Sequence, residues 1–170
     1  MDLKKFIRDI PDFPKPGILF KDITTLVQDP AAFKYGVDQF VSHYSGKKID
    51  YIAAVEARGY IMGGVLAYSL GAGFVPVRKP GKLPYEVVSM EYTLEYGSNR
   101  LEVHKDAIKP GSNVLIFDDL IATGGSAEAT AKLIEKIGGN VVGFAFIIEL
   151  AFLNGKDKLK GYDVFSLLVY

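Results

Sequence analysis

Residues 114–126 read Val-Leu-Ile-Phe-Asp-Asp-Leu-Ile-Ala-Thr-Gly-Gly-Ser, and they carry the strongest structural signals of the chain. The four apolar residues 114–117 are typical of a strand that is covered on both faces, as the strands of a parallel sheet are. Asp118 and Asp119 follow where we expect that strand to end, and the glycines at 124–125 precede a predicted helix. Ligands of open α/β sheets bind at the carboxyl ends of strands, so this turn is a predicted binding site.

The glycine turn is suited to an anion. A loop that leads into a helix presents backbone N–H groups and the positive end of the helix dipole, and Thr123 and Ser126 add hydroxyl donors. The turn lacks the Gly-x-x-x-x-Gly-Lys pattern of nucleoside-triphosphate loops. Its acidic pair precedes the glycines, whereas the acid of a dinucleotide-binding motif follows them by about 20 residues. A ribose 5-phosphate fits this chemistry, with the phosphate on the helix and the hydroxyls on the carboxylates; helix capping by the aspartates is the alternative.

The flanking sequence predicts an α/β fold with an open, mainly parallel twisted sheet between helices. Short apolar runs predict buried strands, and a strand–helix–strand order around residues 51–77 predicts parallel pairing. The predicted strands are 51–55, 74–77, 114–117, 141–148 and 164–169. The predicted helices are a short one at 3–9, an amphipathic one that begins at Asp29-Pro30, one at 60–70 and one after residue 126. Residues 87–92 and 100–104 alternate as a partly exposed hairpin would.

The composition excludes several functional classes. The chain has 170 residues, with 20 Lys and Arg against 20 Asp and Glu, and it has no cysteine. A net charge of zero argues against a protein that coats nucleic acid or an anionic membrane. The lack of cysteine excludes disulfides, thiol catalysis and cysteine-ligated zinc. Residues 60–77 are uncharged, but their glycines and Pro76 favour a helix, a turn and a strand over a membrane span. The length predicts one domain over residues 1–170.

The 114–126 segment resembles the thirteen-residue phosphoribosyl-diphosphate motif of the type I phosphoribosyltransferases, with Ser126 where threonine is commoner. Five further segments resemble the adenine phosphoribosyltransferase family, in the right order and over essentially the whole chain. They are the N-terminal residues 11–24, the turn 56–59, the basic segment 78–84, the Leu-Glu-Tyr-Gly at 94–97 and the C-terminal 166–168. The resemblance implies the type I phosphoribosyltransferase fold, with a base-binding hood within residues 1–46 and a basic loop and flexible hairpin lid at about 78–106.

The resemblance also implies the reaction of adenine with 5-phospho-α-ribosyl 1-diphosphate, which gives AMP and diphosphate in purine salvage. Cleavage of the C1–O bond leaves an oxocarbenium-like ribose and an anionic diphosphate, and both charges need stabilisation where they develop. Mg²⁺ is expected to be held mainly by substrate and water.

The implied catalytic residues are Glu95, Asp118, Asp119 and Arg58. Those implied for ribose 5-phosphate are Asp118, Asp119, Ala122, Thr123, Gly124, Gly125 and Ser126. Those implied for diphosphate are Glu56, Ala57, Arg58, Arg78, Lys79 and Lys82, with a cis peptide at Glu56–Ala57.

For the adenine ring, the resemblance implies stacking on Phe20 with Leu120 on the opposite face. The backbones of Leu19 and Lys21 are expected to read the base edge, with a carbonyl accepting from the 6-amino group and an N–H donating to N1. A 6-oxopurine reverses both demands, and such a mismatch rejects a ligand by leaving buried polar groups unpaired. Glu95 is expected to handle the proton near N7, and Tyr96 to position that loop.

Two alternatives remain open on the sequence. One is a phosphoribosyltransferase for hypoxanthine, guanine or xanthine, against which the hood sequence argues. The other is a non-enzymatic regulator that binds DNA or RNA, for which a basic domain or face is expected. The favoured interpretation is a cytoplasmic homodimeric enzyme with small-molecule substrates and neither nucleic-acid nor membrane partners.

Overall fold

A computed structural model of the protein describes residues 1–93 and 98–170, which form nine strands and four α-helices. The strands are β1 Arg8–Pro11, β2 Leu19–Asp22, β3 Tyr51–Val55, β4 Gly73–Val77, β5 Val87–Thr93, β6 Ser98–His104, β7 Asn113–Ile121, β8 Asn140–Glu149 and β9 Val164–Val169. The α-helices are α1 Thr24–Gln28, α2 Pro30–Tyr44, α3 Gly59–Leu70 and α4 Gly125–Lys136. Short 3₁₀ helices cover Leu3–Phe6, Ala151–Leu153 and Gly155–Leu159.

The central sheet has the strand order β4-β3-β7-β8-β9, and every neighbouring pair is parallel. From β3 the chain goes outward to β4 on one side, whereas β7, β8 and β9 follow on the other side. The carboxyl ends of β3 and β7 therefore lie at the point where the strand order reverses. Open α/β sheets bind their ligands in the crevice at this point.

Two apolar layers cover the sheet, because alternate residues of each strand point to opposite faces. Ile52 and Ala54 of β3 pack with the α2 and α3 side chains, whereas Ala53 and Val55 face the layer that contains α4. The second layer also takes in the hairpin of β5 and β6, whose Leu101 and Val103 are buried. The sequence expectation of a mainly parallel sheet between helices is confirmed.

The observed elements differ from the expected ones at two places. The expected helix at residues 3–9 is wrong, since a 3₁₀ turn ends at Phe6 and Arg8–Pro11 pairs antiparallel with β2. The strand expected at 114–117 extends to Ile121, because β7 continues its pairing with β8 through Ile121 and Glu149. The expected start of α2 is confirmed: the Asp29 side chain accepts from the Ala32 N–H at 2.8 Å. Within the described residues, no helix is long and apolar enough to cross a membrane.

Candidate functional site

A cavity of about 200 Å³ lies at the turn between β7 and α4, and we call it the phosphate cradle. Residues 120–127 and Tyr92 line it. Gly124 caps α4 with a positive φ of +79°, a conformation that glycine adopts without steric cost. The N-terminus of α4 thus opens at the cradle, where backbone N–H groups and the helix dipole favour an anion.

The back of this turn rests on the chain that follows β8. A Cβ atom on Gly155 would lie 2.3 Å from the Ala122 carbonyl oxygen and 3.0 Å from the Gly124 nitrogen. A Cβ atom on Gly124 would lie 2.3 Å from the Gly155 carbonyl oxygen. The direct backbone contact between Gly124 and Gly155 therefore fixes the position of the turn relative to the chain after β8.

Asp118 and Asp119 lie within β7 and are buried, with 8% and 6% of their surfaces exposed. The Asp119 N–H donates to Asp118 Oδ1 at 2.8 Å. Burial, together with the neighbouring charge of Asp119, raises the pKa of the Asp118 carboxyl well above its ordinary value. Two acids in one buried position are held there at an electrostatic cost, which marks the pair as a candidate functional site.

Arg58 brings the turn after β3 to this acidic pair. The Glu56–Ala57 peptide that precedes it is cis, as the family resemblance implied. The Arg58 Nε–H donates to Asp119 Oδ2. The same guanidinium lies 5.2 Å from the centroid of the Phe20 ring, within the range of a cation–π contact. Arg58 therefore joins Asp119 and Phe20, two other residues expected at the site, which come from separate segments of the chain.

Glu56 organises the basic segment at residues 78–84. Its carboxylate accepts from Lys82 Nζ at 3.0 Å and from Arg78 Nη2 at 3.3 Å, and it also accepts the Lys79 backbone N–H. Burial alone would raise the pKa of the Glu56 carboxyl, but these three donors more than offset it and lower the pKa below its ordinary value. A second carboxylate, that of Glu102, accepts the Gly81 N–H at 3.1 Å. Arg78 and Lys82 therefore pair with Glu56.

The N-terminal hairpin presents the residues expected to bind a base. Phe20 meets Phe13 edge to face, with ring centroids 5.0 Å apart. Lys21 Nζ lies 2.7 Å from Asp9 Oδ1 and 4.1 Å from the Tyr170 ring centroid, which ties the hairpin to the chain terminus. Leu19 is half exposed. The hairpin thus lies beside Arg58, with the Phe20 side chain partly exposed.

The other residues expected to act on the base are Leu120, Glu95 and Tyr96. Leu120 lines the phosphate cradle, whereas Glu95 and Tyr96 lie outside the described residues. Across residues 1–93 and 98–170, no group of three or more His, Asp or Glu side chains could hold a metal ion. The sequence interpretation missed Tyr92 and Gly155. Asn154-Gly155 is a turn signal that begins five residues after the end of β8, and the carboxyl end of β8 shares an edge with that of β7, so a turn near the cradle was open to prediction.

Comparisons with known proteins agree with this geometry. The family model described as "Phosphoribosyl transferase domain" matches residues 26–167. Adenine phosphoribosyltransferase of Acaryochloris marina is 58% identical over 170 residues, which is 100% of both chains. The enzyme of that name from Solibacter usitatus is 59% identical, over 99% of this chain and 98% of its own.

Solved structures agree as well. The adenine phosphoribosyltransferase of Thermoanaerobacter pseudethanolicus superposes with a TM-score of 0.97 at 55% identity, covering 99% of this chain and 98% of its own. The Saccharomyces cerevisiae enzyme, complexed with an imino-altritol bisphosphate and adenine, superposes with a TM-score of 0.93 at 46% identity. Coverage in that pair is 98% of this chain and 97% of the yeast chain.

Proposed function

The chain belongs to the phosphoribosyltransferase family, and we propose that it transfers the 5-phosphoribosyl group of 5-phospho-α-ribosyl 1-diphosphate to adenine. The products are AMP and diphosphate. One observation carries this proposal: the phosphate cradle, the acidic pair and Arg58 converge at the carboxyl ends of the adjacent strands β3 and β7. Adenine is the favoured base because the relatives that match over the full chain bear that name.

The reaction breaks the C1–O bond of the ribose and forms a bond from C1 to adenine N9. The diphosphate leaves with the electron pair of the broken bond, and N9 loses its proton. The developing ribose cation lies beside Asp118 and Asp119, whose ionised form stabilises it, and whose oxygens accept from the ribose hydroxyls. The phosphate cradle holds the 5-phosphate and so fixes the distance of C1 from these carboxylates.

Arg58 changes partners when substrates bind. Its guanidinium pairs with Asp119 and lies over Phe20. The diphosphate offers bidentate oxygens, which a guanidinium binds better than a single carboxylate. When Arg58 turns to the diphosphate, Asp119 becomes free for the ribose hydroxyls and Phe20 for the base. Binding of the first substrate thus prepares the site for both halves of the reaction.

The hood selects the base, with Phe20 stacking on the purine and Leu120 on its other face. The backbones of Leu19 and Lys21 pair with the 6-amino group and N1. Glu95 handles the proton near N7, and Tyr96 positions the loop that carries it. Because a 6-oxopurine offers an acceptor and a donor in the opposite places, hypoxanthine leaves buried groups unpaired.

Mg²⁺ enters this proposal with the diphosphate substrate. The ion favours one or two carboxylates together with phosphate oxygens and water, and Asp118 and Asp119 are the carboxylates next to the cradle. It supplies charge neutralisation to the leaving diphosphate. Arg58 and Lys79 supply further positive charge. Arg78 and Lys82 contribute to the extent that the diphosphate draws them away from Glu56.

A second copy of the chain completes the proposed enzyme. Helix α3 has no charged residue, a pattern typical of a helix buried on all sides. Its Tyr68 and Ile61 are nevertheless 89% and 42% exposed, and Phe74 of the edge strand β4 is 38% exposed. A homodimer that covers this face accounts for the pattern, and sedimentation at micromolar concentration tests it. The cytoplasm is the proposed location, because phosphorylated substrates do not cross membranes freely.

A comparison of bases tests the proposed activity. Purified protein is incubated with 5-phosphoribosyl 1-diphosphate, Mg²⁺ and one of adenine, hypoxanthine, guanine or xanthine, and nucleotide formation is followed by chromatography. We expect AMP from adenine and little product from the 6-oxopurines. The double variant Asp118→Asn with Asp119→Asn serves as the control and should lose turnover by orders of magnitude. Formation of IMP without AMP overturns the choice of base, and no nucleotide with any base overturns the activity.

A further inference from the structure

Among the residues that the structure describes, the wall of the phosphate cradle contains one side chain from outside the glycine turn. The other described lining residues lie between 120 and 127, whereas Tyr92 belongs to β5 of the hairpin. The ring lies directly on the turn: a Cβ atom on Gly125 would meet Tyr92 Cδ2 at 3.3 Å. The cradle is therefore closed by a contact between two elements that are about 30 residues apart in sequence.

Tyr92 also separates two cavities. A second cavity of about 180 Å³ lies next to the cradle, and within residues 1–93 and 98–170 the two cavities share only Tyr92 and Gly125. Charged side chains line this second cavity, namely Glu91, Glu128, Lys132 and Lys158. If the Tyr92 ring is removed, we expect the cradle to open into this charged second cavity. The glycine turn then also loses its contact with Tyr92 at Gly125.

Tyr92 is held in place by the hydrophobic core. The ring packs on the core layer together with Val88 and Met90, its neighbours on the same face of β5. Burial raises the pKa of the Tyr92 hydroxyl, a hydrogen bond with Asn99 lowers it, and the charge of Asp118 raises it. The core layer thus holds the ring in the position where it covers Gly125.

We propose that Tyr92 is a positioning residue for the 5-phosphate, which its ring confines by forming the wall of the cradle opposite the glycine turn. This inference rests on the proposed function, whose substrate carries that phosphate. The phosphate site then consists of the glycine turn together with Tyr92 from the hairpin. Tyr92 precedes Glu95, the proposed proton-handling residue, by three positions. A phosphate that contacts this ring therefore contacts a residue that is close in sequence to Glu95 as well.

The test measures the two anion subsites separately. Binding of ribose 5-phosphate and of diphosphate is measured by calorimetry for the wild type and for Tyr92→Ala, Tyr92→Leu and Tyr92→Phe. Tyr85→Ala is the matched control, because Tyr85 is exposed, precedes the same hairpin and does not line the cradle. Circular dichroism and thermal unfolding establish that each variant is folded.

We expect Tyr92→Ala to weaken ribose 5-phosphate binding about tenfold or more, since a displacement of about 1 Å is costly at a site of this kind. Diphosphate binding should change less than twofold. Tyr92→Phe should retain wild-type affinity for both ligands, because the ring forms the wall, and Tyr92→Leu should lie between the two. If Tyr92→Ala does not fold, Tyr92→Leu takes its place in the comparison.

Three results overturn the inference. One is unchanged ribose 5-phosphate affinity in a folded Tyr92→Ala or Tyr92→Leu variant. Another is a parallel loss of both ligands, which indicates a general structural role. The third is a wild type that does not bind ribose 5-phosphate. Failure of the proposed function gives a different result: ribose 5-phosphate and diphosphate bind, but adenine yields no AMP.

Discussion

The contact between Gly155 and the glycine turn gives the sharpest prediction about the phosphate cradle. In Gly155→Ala, the new methyl group would lie 2.3 Å from the Ala122 carbonyl oxygen, whereas ordinary contacts begin at 3.4 Å. The two backbones must therefore separate by 1.1 Å, the difference between these distances. Since the turn is proposed to hold the 5-phosphate and a displacement of about 1 Å can cost about 100-fold in rate, we expect a loss of this order in kcat/KM for the phosphoribosyl substrate.

The assay is initial-rate AMP formation from radiolabelled adenine, with each substrate varied in turn. The KM for adenine should change little, because the hood does not touch Gly155. Gly161→Ala is the matched control: Gly161 has a φ of +95°, but a Cβ atom there meets nothing within 4 Å. It should cost about 1–3 kcal/mol of stability through backbone strain without moving the turn.

A folded Gly155→Ala variant whose kcat/KM for the phosphoribosyl substrate stays within twofold of wild type would refute the reasoning. An equal loss of activity in Gly161→Ala would also refute it, because overall destabilisation would then explain both variants. Thermal unfolding of both proteins distinguishes these outcomes. The stabilities of the two variants should be similar, whereas their kinetics should differ.

Three more predictions concern charge. Arg58→Gln removes a positive charge that lowers the pKa of Asp118, so the acidic limb of the kcat/KM profile against pH should move to higher pH; an unmoved limb contradicts this. Glu56→Gln should reduce the free energy of unfolding at pH 7 by about 1–2 kcal/mol. Because the folded-state pKa of Glu56 is below its ordinary 4.5, the difference should shrink as the pH falls below that value, and chemical denaturation at pH 3 and 7 checks this. Glu95→Gln should lower kcat more than it raises either KM; an effect on KM alone argues against proton handling.

The strands of the central sheet could be predicted because each one is a short apolar run, and such runs are local signals. The end of β7 could not be predicted in the same way. Asp118 and Asp119 interrupt the apolar pattern, and acidic residues usually mark the end of a buried strand. Here the strand continues because Leu120 and Ile121 keep their pairing with β8. Local pattern and observed structure disagree at the very residues that are proposed to act on the ribose.

Two further features could not be predicted from the sequence for a different reason, namely the strand at Arg8–Pro11 and the ion pairs of the basic segment. Arg8–Pro11 forms a strand only because β2 lies beside it, and isolated short segments give no sign of such a partner. The basic segment contains no acid of its own, so counting its charges suggested free cations. The carboxylate that neutralises two of them belongs to Glu56, more than 20 residues away in sequence.

The adjacency of β3 and β7 has a consequence for which sugars the enzyme accepts. One strand leads into the turn of Arg58 and the other into the phosphate cradle, and backbone hydrogen bonds hold neighbouring strands about 4.8 Å apart. The separation of the two strand ends is therefore a property of the sheet and not of any side chain. Substitutions in either loop can alter affinity, but they leave the spacing of these strand ends unchanged. We expect a hexose phosphate, whose two ends are spaced differently, to fit this spacing poorly.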